Sequence, residues 1–531
     1  MKKKGVILLS VFVAVVAIIA IVAAVTVTLS REKDSANPTP ALAVPKVSKD
    51  AQGRPLKEFT ITAKPANWTL QPGIQVDALT YDGTVPGKTI KVTQGDHVKV
   101  QLINQMNEPV TIHWHGYPVP NGMDGVAGLT QAPVAPKHSF TYDFIAKVPG
   151  TYFYHSHYNS STQVDRGLYG AFIVLPKKET VKYDHDYVLI LDEWMSSQTK
   201  MEMDYASMDM EGMDHSKMNM DHASADMGDM DHSGMHMEGT DHSKMNMDHD
   251  EMMKMMYDLY SVNGKTGSAI RPLRVKKGER VRLRFINAGY QTHMLHLQGQ
   301  NFKIVAEDGN AIPNPAEVKD QLIPVGASER YEISFVADHS FAIDLHDRTK
   351  GAKSFLLPVE VEGSQTTVKA DHEKNLPVWD LAKYNQDQTK SPVSFRSSYT
   401  LHLNTKTENG VQVYTINGKT WPNTDPLPVR AGEQVEVTLI NEGKSVHPMH
   451  LHGHKFLVLS VNGKPVSGQV YKDTIQVNPG ETVVITFKAD NPGVWMFHCH
   501  DLHHAAMGMM TDVTYQGYKG TDPDKRKQVH E

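Results

Sequence analysis

Three stretches of the chain carry one alternation of apolar and polar positions. Lys91–Asn104 reads KVTQGDHVKVQLIN, Arg274–Asn287 reads RVKKGERVRLRFIN and Pro428–Asn441 reads PVRAGEQVEVTLIN. In the third, Val435, Val437 and Leu439 alternate with Glu436, Thr438 and Ile440. A period of two with β-branched residues predicts half-buried strands rather than helices. Each stretch follows a polar turn with glycine: Tyr81-Asp82-Gly83, Val262-Asn263-Gly264 and Ile416-Asn417-Gly418. The second and third copies keep register over a long distance. Asn263 and Asn417, His293 and His447, and His296 and His450 are each 154 positions apart. Short strands repeated with turn signals predict an all-β chain of three consecutive β-sandwiches. The 531 residues agree with three units at ~150 residues each. We place the sandwiches at 56–178, 181–365 and 393–517, with linkers at 31–55 and 366–392 and a polar tail at 518–531.

Two segments break this pattern. Val6 to Leu29 is an uncharged, apolar run of 24 residues behind Lys2, Lys3 and Lys4. It is long enough for a bilayer that needs ~20 residues and exceeds the ~7–15 of a signal-peptide core. Residues 1–30 therefore read as an uncleaved signal anchor, with the lysines in the cytoplasm and everything after Arg31 outside. Cleavage would release a secreted protein instead. The second break is at 195–256, inside the second sandwich, where 18 Met and 6 His stand among Asp and Ser. No apolar period is sustained and few branched residues are present. This Met/His-rich insertion reads as a loop rather than a domain.

Composition sharpens the picture at one point. The chain has 28 His, 27 Met and a single cysteine, Cys499. No intramolecular disulfide is possible, and a lone cysteine among histidines points to chemistry. The net charge of −6 gives no reason to expect a nucleic-acid partner.

Four clusters carry the candidate chemistry: His113-Trp114-His115-Gly116, His155-Ser156-His157, His447-Pro448-Met449-His450-Leu451-His452, and His498-Cys499-His500 followed by His504 and Met509. Imidazole, thiolate and thioether together suit copper, and two His, one Cys and a weak axial Met form an electron-transfer copper site. His447, Cys499, His504 and Met509 supply that set. On a strand, His498 and His500 point one way and Cys499 the other. The cysteine can hold one copper inside the third sandwich while its neighbours reach a different centre outside it. Pro149-Gly150 to His157 repeats the spacing of Pro492-Gly493 to His500 with Ser156 in the cysteine's place. The first sandwich thus keeps outward histidines and loses the electron-entry site. Four His-x-His pairs, two from each terminal sandwich, suit a cluster of three coppers.

With these motifs in order, residues from about 56 to 517 resemble the three-domain multicopper oxidases, the family of laccases and bacterial cuprous oxidases. The resemblance implies three cupredoxin-like domains and four copper ions: one type 1, one type 2 and two type 3. It assigns His113 and His450 to type 2 copper. His115, His155, His157, His452, His498 and His500 go to the type 3 pair, and Asp124 is the acid that aids proton delivery to dioxygen. This chain departs from its bacterial relatives in having Ala505 and Ala506 where acidic residues often follow the type 1 histidine. Asp501 or His503 are the candidates to compensate. His293, His296 and His454 read as packed or hydrogen-bonded residues, and Met507 and Met510 as packing.

The reading that follows is an oxidase coupling one-electron oxidation of Cu(I) to reduction of O₂ to water, in copper tolerance, with the Met/His-rich segment gathering Cu(I). A laccase-like oxidase of phenols or small organic reductants, or of Mn(II) or Fe(II), is the alternative. A copper-buffering envelope protein without turnover is a third, but storage needs no cysteine flanked by histidines.

Overall fold

The computed structural model describes residues 38–196, 256–345, 355–364, 375–381, 394–518 and 523–529. The expected anchor at 1–30 and nearly all of the insertion at 195–256 lie outside the described residues. Among those described, no helix is long and apolar enough to cross a membrane.

The three polar turns are equivalent. Asp82 (φ 61°), Asn263 (φ 53°) and Asn417 (φ 52°) each precede a glycine that also has positive φ. Two left-handed residues in succession make the tight hairpin that follows strand twist, which is why Asp/Asn-Gly recurs. Each side chain also ties the turn to a neighbouring strand. Thr62, Ile190 and His402 donate their N–H groups to Asp82 Oδ1, Asn263 Oδ1 and Asn417 Oδ1 at 2.9, 2.8 and 2.8 Å. The Ile-Asn end of each repeat has a matching explanation. The Nδ2 groups of Asn104, Asn287 and Asn441 each donate to two backbone carbonyls, at 2.7–2.9 Å. A buried amide satisfied in this way pins two loops, and no apolar residue can replace it.

Each repeat builds a two-sheet sandwich. The first pairs a five-stranded with a four-stranded sheet; the second and third each pair a seven-stranded with a five-stranded sheet of the same strand order. Each sandwich encloses its own apolar core: Val98, Val100 and Leu102 in the first, Val281, Leu283 and Phe285 in the second, Val435, Val437 and Leu439 in the third. These are the positions the alternation placed inside. A further cluster, with Ile173, Ile190 and Trp194, joins the first and second sandwiches.

The flanking segments are less detached than their composition suggests. Within the expected linker 31–55, Lys46–Lys49 pairs as a strand with Pro55–Glu58, and Ala43 donates its N–H to the Thr89 carbonyl. In the expected linker 366–392, Trp379 enters the core of the second sandwich. The end of the chain is not simply a polar tail. Pro523–Arg526 forms a helical turn, and Val529 packs with Val126, Val494 and Met510 across the seam between the first and third sandwiches. Single apolar residues in polar surroundings carry too weak a period to announce this.

Candidate metal centres

Two strand pairs bring the histidines together. In the first sandwich His113–His115 runs antiparallel to Gly150–His155, with His113 opposite His155 and His115 opposite Phe153. In the third, His447–Leu451 runs antiparallel to Val494–Cys499, with His450 opposite His498 and Met449 opposite Cys499. Directly opposed residues share a face at about 5 Å between Cβ atoms. Alternation does the rest. Trp114, between two ligand candidates, turns inward against Tyr142, Phe144, Tyr154 and Phe172, so His113 and His115 turn out. Cys499 likewise enters the core of the third sandwich with Met449 and Met509. Its neighbours His498 and His500 face the first sandwich.

The eight outward histidines meet in one buried cage between the terminal sandwiches. The rings of His115, His155 and His500 lie 4.7–5.6 Å apart, and those of His157, His452 and His498 lie 5.0–5.6 Å apart. His113 and His450, at 5.8 Å, complete the set. Each group mixes residues from both ends of the chain. Burial, with the neighbouring rings adding to it, holds His115, His155, His450, His452 and His500 well below the usual imidazole range. They are therefore neutral, the form that binds metal.

The hydrogen bonds orient these rings for an ion. Nδ1 of His113, His155, His450 and His498 donates to the carbonyls of Asp124, Ser156, Asp473 and Cys499 at 2.8–2.9 Å. Nδ1 of His452 donates to Asp124 Oδ2 at 2.9 Å. With the proton held on Nδ1, Nε2 presents its lone pair. The buried Nε2 atoms of His113, His155, His450 and His500 have no hydrogen-bond partner. The Nε2 atoms of His452 and His498 face each other at 3.0 Å, two acceptors that a shared cation would reconcile. A buried polar set arranged in this way fits a metal and little else.

The second centre is smaller. Cys499 Sγ lies 3.8 Å from His447 Nδ1 and 3.6 Å from His504 Nδ1, and these two nitrogens are 3.2 Å apart. The Tyr414 ring stacks on His504 at 3.8 Å, and Asp501 caps the helix Leu502–Ala506 that carries His504. Met509 is fully buried in the same core; its carbonyl accepts from the Cys499 N–H and its N–H donates to the His504 carbonyl. Two His and one Cys with a buried thioether close by fit copper by softness and geometry.

Other expectations also find their places. Ser156, at the cysteine's position in the first sandwich, donates to Gln163 Oε1 at 2.6 Å and leaves no second soft site there. His293 meets Glu193 at 3.0 Å and His296 lies 3.4 Å from both Asp320 and Asp344, while His454 pairs with Tyr515 at 2.7 Å. Ala505 is packed among Met496 and Met510, so this position contributes only apolar surface. Asp501 Oδ1 accepts the N–H groups of His503 and His504, and Oδ2 lies 3.4 Å from His504 Nε2. Asp473 and Thr474 carry no motif and were not foreseen, yet Thr474 Oγ1 lies 3.1 Å from His450 Nδ1 and 3.3 Å from His115 Nε2. Burial, against the opposing pull of Arg330, pushes the Asp473 carboxyl up to about 6.

A Cys–His₂ site in one sandwich, joined through its own backbone to an eight-histidine cage shared with another, fits a copper protein with two kinds of centre. Family models described as multicopper oxidase match residues 62–179, 185–353 and 390–517. The multicopper oxidase MmcO of Mycobacterium tuberculosis is 30% identical, covering 91% of each chain. Copper resistance protein A of Escherichia coli is 24% identical over 90% of this chain and 95% of its own. Among solved structures, a multi-copper oxidase from Pseudomonas thermotolerans superposes with a TM-score of 0.63 at 25% identity, over 87% of this chain and 99% of that one. The chain belongs to the multicopper oxidase family, and is a copper-dependent oxidoreductase with oxygen as electron acceptor.

Proposed function

We propose that this chain is a cuprous oxidase of copper tolerance: four Cu(I) and four protons reduce one O₂, giving four Cu(II) and two waters. His447, Cys499, His504 and Met509 would hold the type 1 copper. His113 and His450 would hold type 2 copper, and the trios His115/His155/His500 and His157/His452/His498 would hold the type 3 pair. Copper bound in these sites would supply the one-electron chemistry between reductant and O₂. The residues supply the rest. The peptide from Cys499 to His498 and His500 is a short covalent path between the two centres. Asp124, hydrogen-bonded to His452, is the acid placed to pass protons into the cage.

One observation carries the choice of Cu(I) as substrate: the two ends of the Met/His-rich insertion sit on the helix that presents His504. Trp194 and Leu259 are opposed across a hairpin and pack with Leu502 of that helix. Ser196 donates to Asp258 at 2.5 Å, closing the stem. The Tyr257 ring lies 4.6 Å from that of Tyr290, which lies 5.4 Å from that of His503. Thioether and imidazole suit Cu(I), and aspartates raise the local concentration of cations. The name of the relative copper resistance protein A agrees with this role. The apolar run Val6 to Leu29, as an anchor, would keep the enzyme on the outer face of the membrane.

Because the stem closes on itself, replacing residues 197–255 by a short turn should leave the sandwiches folded. Cu(I)-driven oxygen uptake at limiting Cu(I) is expected to fall about tenfold, while oxidation of a bulky phenol is unchanged or faster. Unchanged Cu(I) turnover would remove the insertion from the reaction and leave a laccase-like oxidase.

A further inference from the structure

The described residues of the second sandwich supply no ligand to either centre, yet its charged side chains reach the cage. Arg330, at the start of the strand Arg330–Val336, is fully buried. Its guanidinium meets Asp473 end-on, Nη1 at 2.6 Å from Oδ1 and Nη2 in contact with Oδ2. Nη1 also donates to the Ser328 carbonyl at 3.0 Å. The Arg330 N–H donates to Asp308 Oδ1 at 2.9 Å, and Asp308 Oδ2 accepts the N–H groups of Asp473 and Thr474, each at 3.3 Å. Behind them the buried Lys472 ammonium lies 3.1 Å from Glu329, 3.4 Å from Asp308 and 3.5 Å from Glu307. The second sandwich therefore grips one short segment, Lys472 to Thr474, through its side chains and its backbone.

That segment touches the cage where the two halves meet. The Asp473 carbonyl accepts a hydrogen bond from His450 Nδ1 at 2.9 Å, and Asp473 Oδ1 is 3.3 Å from His115 Nε2. The rings of His115, from the first sandwich, and His450, from the third, stack at 3.7 Å. Gly116 shows how tightly the three units converge. A Cβ there would lie 2.3 Å from Arg330 Nη2 and 2.4 Å from Asp473 Oδ2, at a φ of +75°. The glycine of the HWHG motif is thus the gap through which the ion pair reaches the histidines.

A fully buried ion pair is a poor source of net stability, because desolvation offsets the Coulomb gain. A bidentate guanidinium–carboxylate pair does fix orientation, and lysine cannot reproduce its planar fork. We propose that Arg330 and Asp308 are positioning residues that set the separation of His115 and His450, so that the second sandwich holds the cage of the other two in register for its metal. The inference rests on reading the cage as a copper site.

The test compares Arg330→Met and Arg330→Lys with Arg284→Met in the copper-loaded full chain. Arg284 is an apt control: it bonds Thr151 and Glu332 at 2.6 Å each, joining the first and second sandwiches away from Asp473. Copper per chain, the type 2 electron-spin signal and the blue absorption are read together. In Arg330→Met the blue absorption is expected to persist, while the type 2 signal is lost and cage copper binds ~10–100-fold more weakly. Arg330→Lys is expected to fall between, and Arg284→Met to keep both signals. Full copper and an unchanged type 2 signal in Arg330→Met would overturn the proposal. If Arg330→Met does not fold, Arg330→Lys decides by the same signal, an altered spectrum supporting the role and an unaltered one ending it. A parent chain that binds no copper in the cage would instead sink the metal reading.

Discussion

Cys499→Ser is expected to give a folded protein with no blue absorption and no oxidation of any reductant above background. The fold should tolerate the change, since Ser156 occupies the equivalent position in the first sandwich and hydrogen-bonds Gln163 there. The site would not. His447 and His504 converge with Sγ within 4 Å, and a neutral hydroxyl replaces the only thiolate available to them. Copper in the cage should remain, because none of the eight histidines loses a contact made by the Cys499 side chain. Its carbonyl, which accepts from His498 Nδ1 at 2.9 Å, is retained in the serine variant. Loss is expected to extend equally to Cu(I) and to a phenol, since both would deliver electrons at this point on the proposed path. Oxygen uptake that persisted with either reductant would take Cys499 out of the electron path.

The second large effect is expected at Asp124. Its Oδ2 accepts a hydrogen bond from His452 Nδ1 at 2.9 Å, and its Oδ1 lies 3.3 Å from His113 Nδ1. Asp124 thus orients a histidine from each end of the chain, His113 through its backbone carbonyl and His452 through its carboxylate. Asp124→Ala removes it and is expected to lower copper affinity of the cage or turnover ~10–100-fold, the usual scale for partners of metal-bound histidines. Asp124→Asn separates two roles. The amide oxygen can still accept from His452, so copper should stay, while the group that carries a proton is gone and turnover should still fall. Equal losses with Cu(I) and with a phenol are expected, because the step lies beyond electron entry. An Asn variant that turns over as fast as the parent would exclude Asp124 as the proton donor.

The parts that the chain's own pattern predicted are those governed by local rules. Alternation around Val435, Val437 and Leu439 predicted half-buried strands, which build the third core, and the polar turns with glycine are turns of positive φ. The His-x-His spacing predicted two outward residues with an inward one between them, as Trp114 and Cys499 are. What escaped prediction depends on contacts between distant segments. Asp473 and Arg330 are 143 positions apart and ordinary in type, and only the docking of two sandwiches makes them a buried pair. Gly116 looked like the end of a motif; its need for space comes from that same pair. Val529 escaped for a different reason, being one apolar residue in a polar stretch that has no period to extend.

The account stands or falls on where metal sits. Diffraction at the copper absorption edge from copper-loaded crystals is expected to show one peak between Cys499, His447 and His504. Three more should lie in the cage, each touched by histidines from both terminal sandwiches. Peaks at the Met/His-rich insertion alone, or a cage without copper in a chain that still reduces oxygen, would contradict it.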